Sequence, residues 1–294
     1  MAALKNCTRS HKFESRIKYR NLSKIDEKNN TASIIGPHKA TGNIFIPRFF
    51  EKGNIKYKII SIEECAFSEC NIDSLTFPED SEVETFHRTC FFRGHVKKLQ
   101  IPASVRKLDC FLSSIYSLNE IEVSQNNRYF TLYNNQLLLG KSKDDIDKFD
   151  VLHFCVFDVE EIMIPAQISI IKEFSFYNHT KLKSIKFEAN SELKEIGNGA
   201  FQYATSIEDV VIPASVEVIG NRSFNYTVKL KSFRFSPNSK LKKIWAEVFI
   251  CSSIKSITIP ESVESICGSF CHMKKLKSLI ISPNSKLKHI TSCA

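Results

Sequence analysis

The sequence predicts a mainly β solenoid built from one short, repeated unit. Three observations carry that prediction. A ten-residue phrase occurs three times, as FEANSELKEI (Phe187–Ile196), FSPNSKLKKI (Phe235–Ile244) and ISPNSKLKHI (Ile281–Ile290). The apolar residues that close successive L-x-x-I-x-I motifs, Ile164, Phe187, Ile212, Phe235, Ile259 and Ile281, are 23, 25, 23, 24 and 22 residues apart. The 294-residue chain holds 23 Phe but one Trp and nine Gly, so Phe fills one recurring structural role. Self-similarity at a fixed period of this length marks units that bury their apolar side only by stacking.

Taken in order, residues 1–42 lack the motif. The alternating segments RIKYRNL and TASIIG flank the turn signal DEKNN, and predict an N-terminal β-hairpin cap over the open first repeat. Residues 43–294 hold about nine or ten repeats, starting with IFIP (Ile44–Pro47) and KYKIISI (Lys56–Ile62). Copies follow at Ile72–Phe86 and Val96–Leu108, with a degenerate one from Leu118. A 41-residue step from Val123 to Ile164 implies a hairpin insertion near 124–158. Regular copies then run from Leu182 to the end of the chain.

Each part of the unit has a physical reading. The x-I-x-I alternation is a short strand with one buried face. Pro102, Pro165, Pro213 and Pro260 follow it, and a residue without an N–H ends a strand. The chain turns, V-x-x-I crosses back with two inward side chains, and a small residue and Phe follow. Phe67, Phe176, Phe201, Phe224, Phe249 and Phe270 are expected to pile into a column. Short IPxSV turns alternate with longer SPNSKL turns.

These motifs resemble the BspA-like leucine-rich repeat family, whose hallmark reads approximately LxxIxIPxSVxxIGxxAFxxC. ITIPESVESICGSF (Ile257–Phe270), VVIPASVEVIGNRSF (Val210–Phe224) and IISIEECAFSEC (Ile59–Cys70) carry the likeness. The segment Glu122–Asp145 resembles the family's recurring hairpin insertion. The resemblance implies a right-handed leucine-rich-repeat solenoid, with strands on the concave face and irregular or short helical turns on the convex side. It also implies a non-catalytic recognition scaffold, because similar proteins are often surface antigens or adhesins that bind host matrix or other cells. An intracellular scaffold for an acidic protein partner is the alternative, favoured by the opening MAALKNCTRSHKFESR, which has no apolar signal core. Localisation stays open between the two.

Composition excludes more than it assigns. No apolar run approaches the ~18 residues of a membrane span. No phosphate-binding glycine loop, HExxH, GxSxG or EF-hand loop occurs, so no enzyme, metal or cofactor is expected. His87 with Cys90 and Cys271 with His272 belong to no four-ligand set. Asp144-Asp145 and Glu160-Glu161 read as solvated charge. The ten Cys are expected to be reduced packing residues, with Cys70, Cys251 and Cys271 following the repeat Phe. Sequons occur at Asn6, Asn21, Asn29, Asn178, Asn221 and Asn225, the last three flanking turns where a glycan could be exposed. The formal charge of +9 is taken as spread along the chain, with no Lys/Arg tail, so nucleic acid is not an expected partner.

The strand pattern also predicts a binding face. One outward row holds Thr76, Gln100, Glu122, Met163, Lys186, Val211, Arg234, Thr258 and Ile280. A second, just after the leading apolar residue, holds Lys97, Lys183, Lys231, Lys255 and Lys277. The mixed row suits protein recognition, and the Lys row suits an acidic protein or acidic glycan. Finally, HITSCA (His289–Ala294) parallels SIEECA (Ser61–Ala66) but lacks the Phe that follows there. The last repeat is therefore expected to be incomplete, with its apolar side exposed or in end-to-end contact with a partner.

Overall fold

The computed structural model describes residues 23–36, 39–109, 112–115 and 117–291. Nearly all regular structure is β. One 3₁₀ turn, Leu112–Ser114, is the helical element among the described residues. The coils form three walls around a continuous apolar core.

The L-x-x-I-x-I segments form the first wall, a long-strand ladder. Its strands are Thr41–Phe45, Asn71–Thr76, His95–Ile101 and Glu120–Val123, then Glu161–Ile164, Ser184–Phe187, Asp209–Ile212 and Ser232–Phe235, then Ser256–Ile259 and Ser278–Ile281. Neighbours within each group pair in parallel and in register, as Val210 with Phe233 and Ile257 with Leu279. The alternation predicted for these strands holds: Asp209–Ile212 reads exposed, buried, exposed, buried.

The returning V-x-x-I segments form a second wall. They end in two- or three-residue strands that also pair in parallel: Ile170–Ile171, Glu195–Ile196, Val218–Ile219, Lys243–Ile244, Ser265–Cys267 and His289–Thr291. The sequence marked this segment as a crossing with two inward anchors; it is also a ladder. Two residues per coil give no alternation to read. Here Gly197 is required by close approach, since a Cβ would lie 2.6 Å from the backbone nitrogen of Glu173 in the preceding coil.

The third wall carries the Phe column, and its backbone is unusual. In seven coils the residues two before and two after the column Phe have positive φ. They are Cys65 and Glu69 about Phe67, Thr89 and Arg93 about Phe91, and Phe174 and Asn178 about Phe176, then Gly199 and Tyr203 about Phe201, Arg222 and Tyr226 about Phe224, Glu247 and Cys251 about Phe249, and Gly268 and His272 about Phe270. Most are neither Gly nor Asn, the residues that adopt this region most easily. The coil-to-coil hydrogen bonds explain the pattern. Phe176 N–H donates to Ala200 O (2.8 Å), Phe201 N–H to Ser223 O (2.7 Å), and Tyr203 N–H to Asn225 O (3.0 Å). These donors all point to the following coil. The left-handed residues turn the peptide planes along the stack, and the buried backbone of a sharp corner is satisfied.

Inside, the Phe rings stack as predicted. Centroids of Phe176 and Phe201 are 4.8 Å apart, Phe201 and Phe224 5.0 Å, Phe224 and Phe249 6.4 Å, and Phe249 and Phe270 5.6 Å, with planes within 15–18°. Phe67 stacks on Phe91, which the motif reading missed although the small Cys90 precedes it. The buried column gives one core along the stack.

The predicted first cap segment RIKYRNL lies outside the described residues. A hairpin is formed by Ser23–Asp26 and Thr31–Ile34, and the latter pairs in parallel with Ile55–Ile62. The insertion is a hairpin of Phe130–Tyr133 with Leu137–Gly140, followed by antiparallel Val151–Cys155. Asn127 ties it to the stack. Its side-chain amide donates to the carbonyls of Pro102 (2.7 Å) and Val105 (2.9 Å), and its carbonyl accepts from the N–H of Phe130 (2.8 Å). The insertion interrupts both ladders, leaving a small 40 Å³ cavity lined by Leu108, Leu112, His153, Lys172 and Phe174. Burial pushes the His153 imidazole down to about 3, with Lys172 adding to the effect. His179 is buried beside the Phe157 ring, its Nε2 donating to Cys155 O at 2.9 Å. Burial lowers its pKa despite the surrounding carbonyls, which favour the charged form.

Candidate binding face

The long-strand ladder puts the predicted outward row together. Glu122 is in register with Gln100, Met163 with Lys186, Val211 with Arg234, and Thr258 with Ile280. Thr76 and Gln100 are half-buried and the rest are exposed. Four exposed apolar side chains occupy outward positions on this ladder, Phe45, Met163, Val211 and Ile280.

Alternating turn lengths shape the edge of the face. Each short turn lies at the base of a notch between longer ones. A groove of about 870 Å³ is lined by Met163, Lys186, Val211, the turn Glu188–Ser191, the short turn Pro213–Ser215 and Ser236. A second, of about 700 Å³, is lined by Arg234, Phe235, Thr258, the turn residues Asn238 and Ser239, the short turn Pro260–Ser262 and Lys286. The two notches therefore recur with the two-coil repeat. With strands ~4.8 Å apart, that is a spacing of roughly 10 Å.

The electrostatics divide the face. In the second row Lys97 pairs with Asp73 (2.7 Å), Lys183 with Glu160 (2.7 Å) and Lys231 with Glu208 (3.0 Å), each reaching to the coil before. On the same ladder Lys98 meets Glu120 (2.8 Å) and Glu122 (2.5 Å) of the following coil, and Arg234 of the first row meets Asp209 (2.9 Å) of the coil before. Acidic and basic coils thus alternate and neutralise each other. The Lys row is not a continuous basic ladder; most of it is interleaved with carboxylates that a one-row reading does not see. Lys255 and Lys277 differ. Among the described residues neither has a carboxylate within ion-pair distance, and the coil before each presents Lys at the matching position.

The charge is also not spread along the chain. Residues 229–294 contain 12 Lys and Arg against three Asp and Glu, and the other residues contain 29 of each sign. The whole formal charge of +9 therefore lies in the last coils. The signal was present in the sequence, in a count taken by coil rather than by run.

Two further expectations change. Cys70, Cys251 and Cys271 do not share a packing position; they follow their Phe by three, two and one residues. Cys70 is buried, but Cys251 and Cys271 are partly exposed, and Cys65 is exposed. Asn225 is buried, and its side-chain amide donates to Glu247 O at 3.2 Å, so it is closed to glycosylation in the folded chain. Asn178 and Asn221 are half-buried and Asn29 is exposed; Asn6 and Asn21 lie outside the described residues. No cluster of three or more His, Cys, Asp or Glu suited to a metal occurs among the described residues. No helix there is long and apolar enough to cross a membrane.

At the end of the described chain Ser278–Ile281 and His289–Thr291 pair with the coil before. Their inward positions lack cover: Leu279 is 39% exposed, Ile281 41% and Ile290 55%.

Comparison with known proteins agrees with this architecture. The model of the BspA type leucine rich repeat region matches residues 42–136 and 148–277 in six copies. Among solved structures, the chain is similar to a leucine rich cell surface protein from Faecalibacterium prausnitzii, with TM-score 0.55 and 16% identity over 91% of this chain and 96% of that one. A leucine-rich repeat protein from Bacteroides ovatus superposes with TM-score 0.56 and 18% identity over 90% of this chain and 68% of that one. These two likenesses show the fold. No curated protein matches the chain by sequence.

Proposed function

Because the chain belongs to the BspA-type leucine-rich repeat family, we propose that it is a non-catalytic recognition scaffold whose long-strand face binds protein, acting as a surface antigen or adhesin toward host matrix or other cells. One observation carries the reading. The inward residues of the ladder stay Leu, Ile, Val or Phe coil after coil, while the outward row changes at every step. Packing sets the first set, and nothing in the packing sets the second. That row includes exposed Met163, Val211 and Ile280, which offer apolar contacts to a protein partner. The similar Faecalibacterium protein is described as a cell surface protein, which favours the adhesin setting.

The intracellular alternative draws on one observation, the exposed or half-exposed thiols Cys65, Cys251 and Cys267. Thiol counting on protein isolated from its source separates the settings.

The test of the face is photocrosslinking. A benzophenone side chain at Met163 or Val211 should capture protein from a solubilised matrix preparation, and one at Lys242 on the short-strand wall should not. Equal capture from both walls overturns the assignment of the face.

A further inference from the structure

We infer that the last three coils of the long-strand face bind an acidic polypeptide segment that also carries apolar side chains. The inference rests on the recognition role proposed above and gives it a location and a partner chemistry.

The charge pattern is the first support. Through Asp209 and Arg234 each basic coil has an acidic neighbour, so the face offers little net field there. Beyond that point Lys255 and Lys277 follow the Glu208-paired Lys231 at matching positions, with no acidic residue on the strands Ser232–Phe235, Ser256–Ile259 and Ser278–Ile281. Like charges on adjacent strands are unfavourable for the sheet itself. The repeat does not need them, since the preceding coils place Glu208 and Glu160 at the equivalent site. A patch of one sign attracts a ligand of the other and speeds its encounter.

Shape is the second. The notch of about 700 Å³ is lined by Arg234, Ser256, Thr258 and Lys286, and Ser256 directly follows Lys255 in the chain. Its one carboxylate, Glu261, accepts a hydrogen bond from Ser282 Oγ at 2.7 Å.

Exposed apolar surface is the third, and it selects a polypeptide over a glycan. Ile280 lies in register with Thr258, on the same strand as Ser278 and just past Lys277, and is 47% exposed. Phe235 is partly buried in the notch. A sulfated or carboxylated glycan would satisfy the Lys but leave Ile280 without a partner. An acidic segment with apolar anchors uses both.

The experiment uses the full chain and fluorescence anisotropy with three labelled probes: a random glutamate–tyrosine copolymer, polyglutamate, and a heparin oligosaccharide. The copolymer is expected to bind best, and to weaken at least tenfold between low and physiological salt. Lys255→Ala with Lys277→Ala should cost at least tenfold. Ile280→Ser should weaken the copolymer several-fold and leave polyglutamate unchanged. The control Lys97→Ala with Lys183→Ala, on the self-neutralised coils, should stay within twofold. Absence of copolymer binding, equal loss in both double variants, or preference for heparin with no effect of Ile280→Ser overturns the inference. Each variant is checked by its thermal melt, and surface Lys changes leave the core untouched. If the Met163 crosslinker captures matrix protein while the Lys255/Lys277 variant binds as before, the recognition face stands and this location for it falls.

Discussion

The coils from Glu160 to Val228 and those from Lys229 to Thr291 repeat one plan with different outcomes. Both have the two ladders, the left-handed corner residues and the Phe column. In the first group the core is covered on both sides and acidic residues outnumber basic ones, nine to six. In the second the core thins toward Leu279 and Ile290, and positive charge accumulates. Inward positions are dictated by stacking and so persist. Outward positions answer only to solubility and to partners, and there the two groups diverge. The comparison separates what the repeat needs from what this chain adds.

The largest expected effect tests the core half of the comparison. Phe201 is sandwiched between Phe176 and Phe224 and fully buried. Phe201→Ala should cost about 3–5 kcal/mol, as for other buried Phe truncations. Phe270 stacks on Phe249 but is already 8% exposed. Phe270→Ala should cost clearly less, because its site can relax toward solvent. Urea denaturation of both variants measures the difference, and equal losses would mean that the last coil is as well packed as the middle.

Acid should act on the first group and the insertion before it. His153 is held neutral, with its pKa lowered by burial to about 3. A depressed imidazole pKa contributes stability that is fully present above the unfolded value of ~6.5 and is lost as pH falls from there toward 3. Between pH 7 and pH 5 this group should remove about 1–2 kcal/mol. His179, also lowered by burial, acts in the same direction. The second group has no buried His, as His272 and His289 are exposed. His153→Gln should flatten the pH dependence measured by urea denaturation; an unchanged slope would remove His153 as its source.

How much of this was legible beforehand follows the same division. The period, the alternation, the prolines and the Phe column are packing signals, and the sequence repeats them because each coil poses the same problem. The second ladder was not legible, because two-residue strands show no period. Nor were the left-handed corner residues: Tyr203, Tyr226, Glu247 and His272 carry no Gly signature, and only the hydrogen bonds to the next coil explain them. On the face, the outward row was readable from alternation alone. The ion pairs were not, since Lys183 and Glu160 are 23 residues apart and meet only through stacking.

A smaller effect probes those corners. His272 has φ of 56° and is exposed, so its side chain carries left-handed strain with little packing in return. His272→Gly should stabilise by about 0.5 kcal/mol, the relief of strain exceeding the added freedom of the unfolded chain. Tyr203 has the same backbone but packs edge-on against Tyr177 (5.5 Å) and tilted against Tyr226 (5.0 Å). Tyr203→Gly should therefore destabilise. Thermal melts that move in the same direction for both would show that ring packing does not distinguish the corners.

The smallest effect on stability bears most directly on the contrast in charge. Glu208 holds Lys231 at 3.0 Å at the boundary between the two groups. Both side chains are well exposed, and such pairs typically contribute about 0–1 kcal/mol. Glu208→Gln should leave the melting temperature almost unchanged. It should also free Lys231 and extend the unopposed row from Lys255 and Lys277 by one coil. If the field of the face governs its partner, the glutamate–tyrosine copolymer should bind this variant about twofold to threefold more tightly at low salt, with the gain vanishing as salt screens it. A melting temperature that falls by several degrees would instead mean that the alternating charges hold the stack together, and that the coils of Lys255 and Lys277 lack a support the others share on this face.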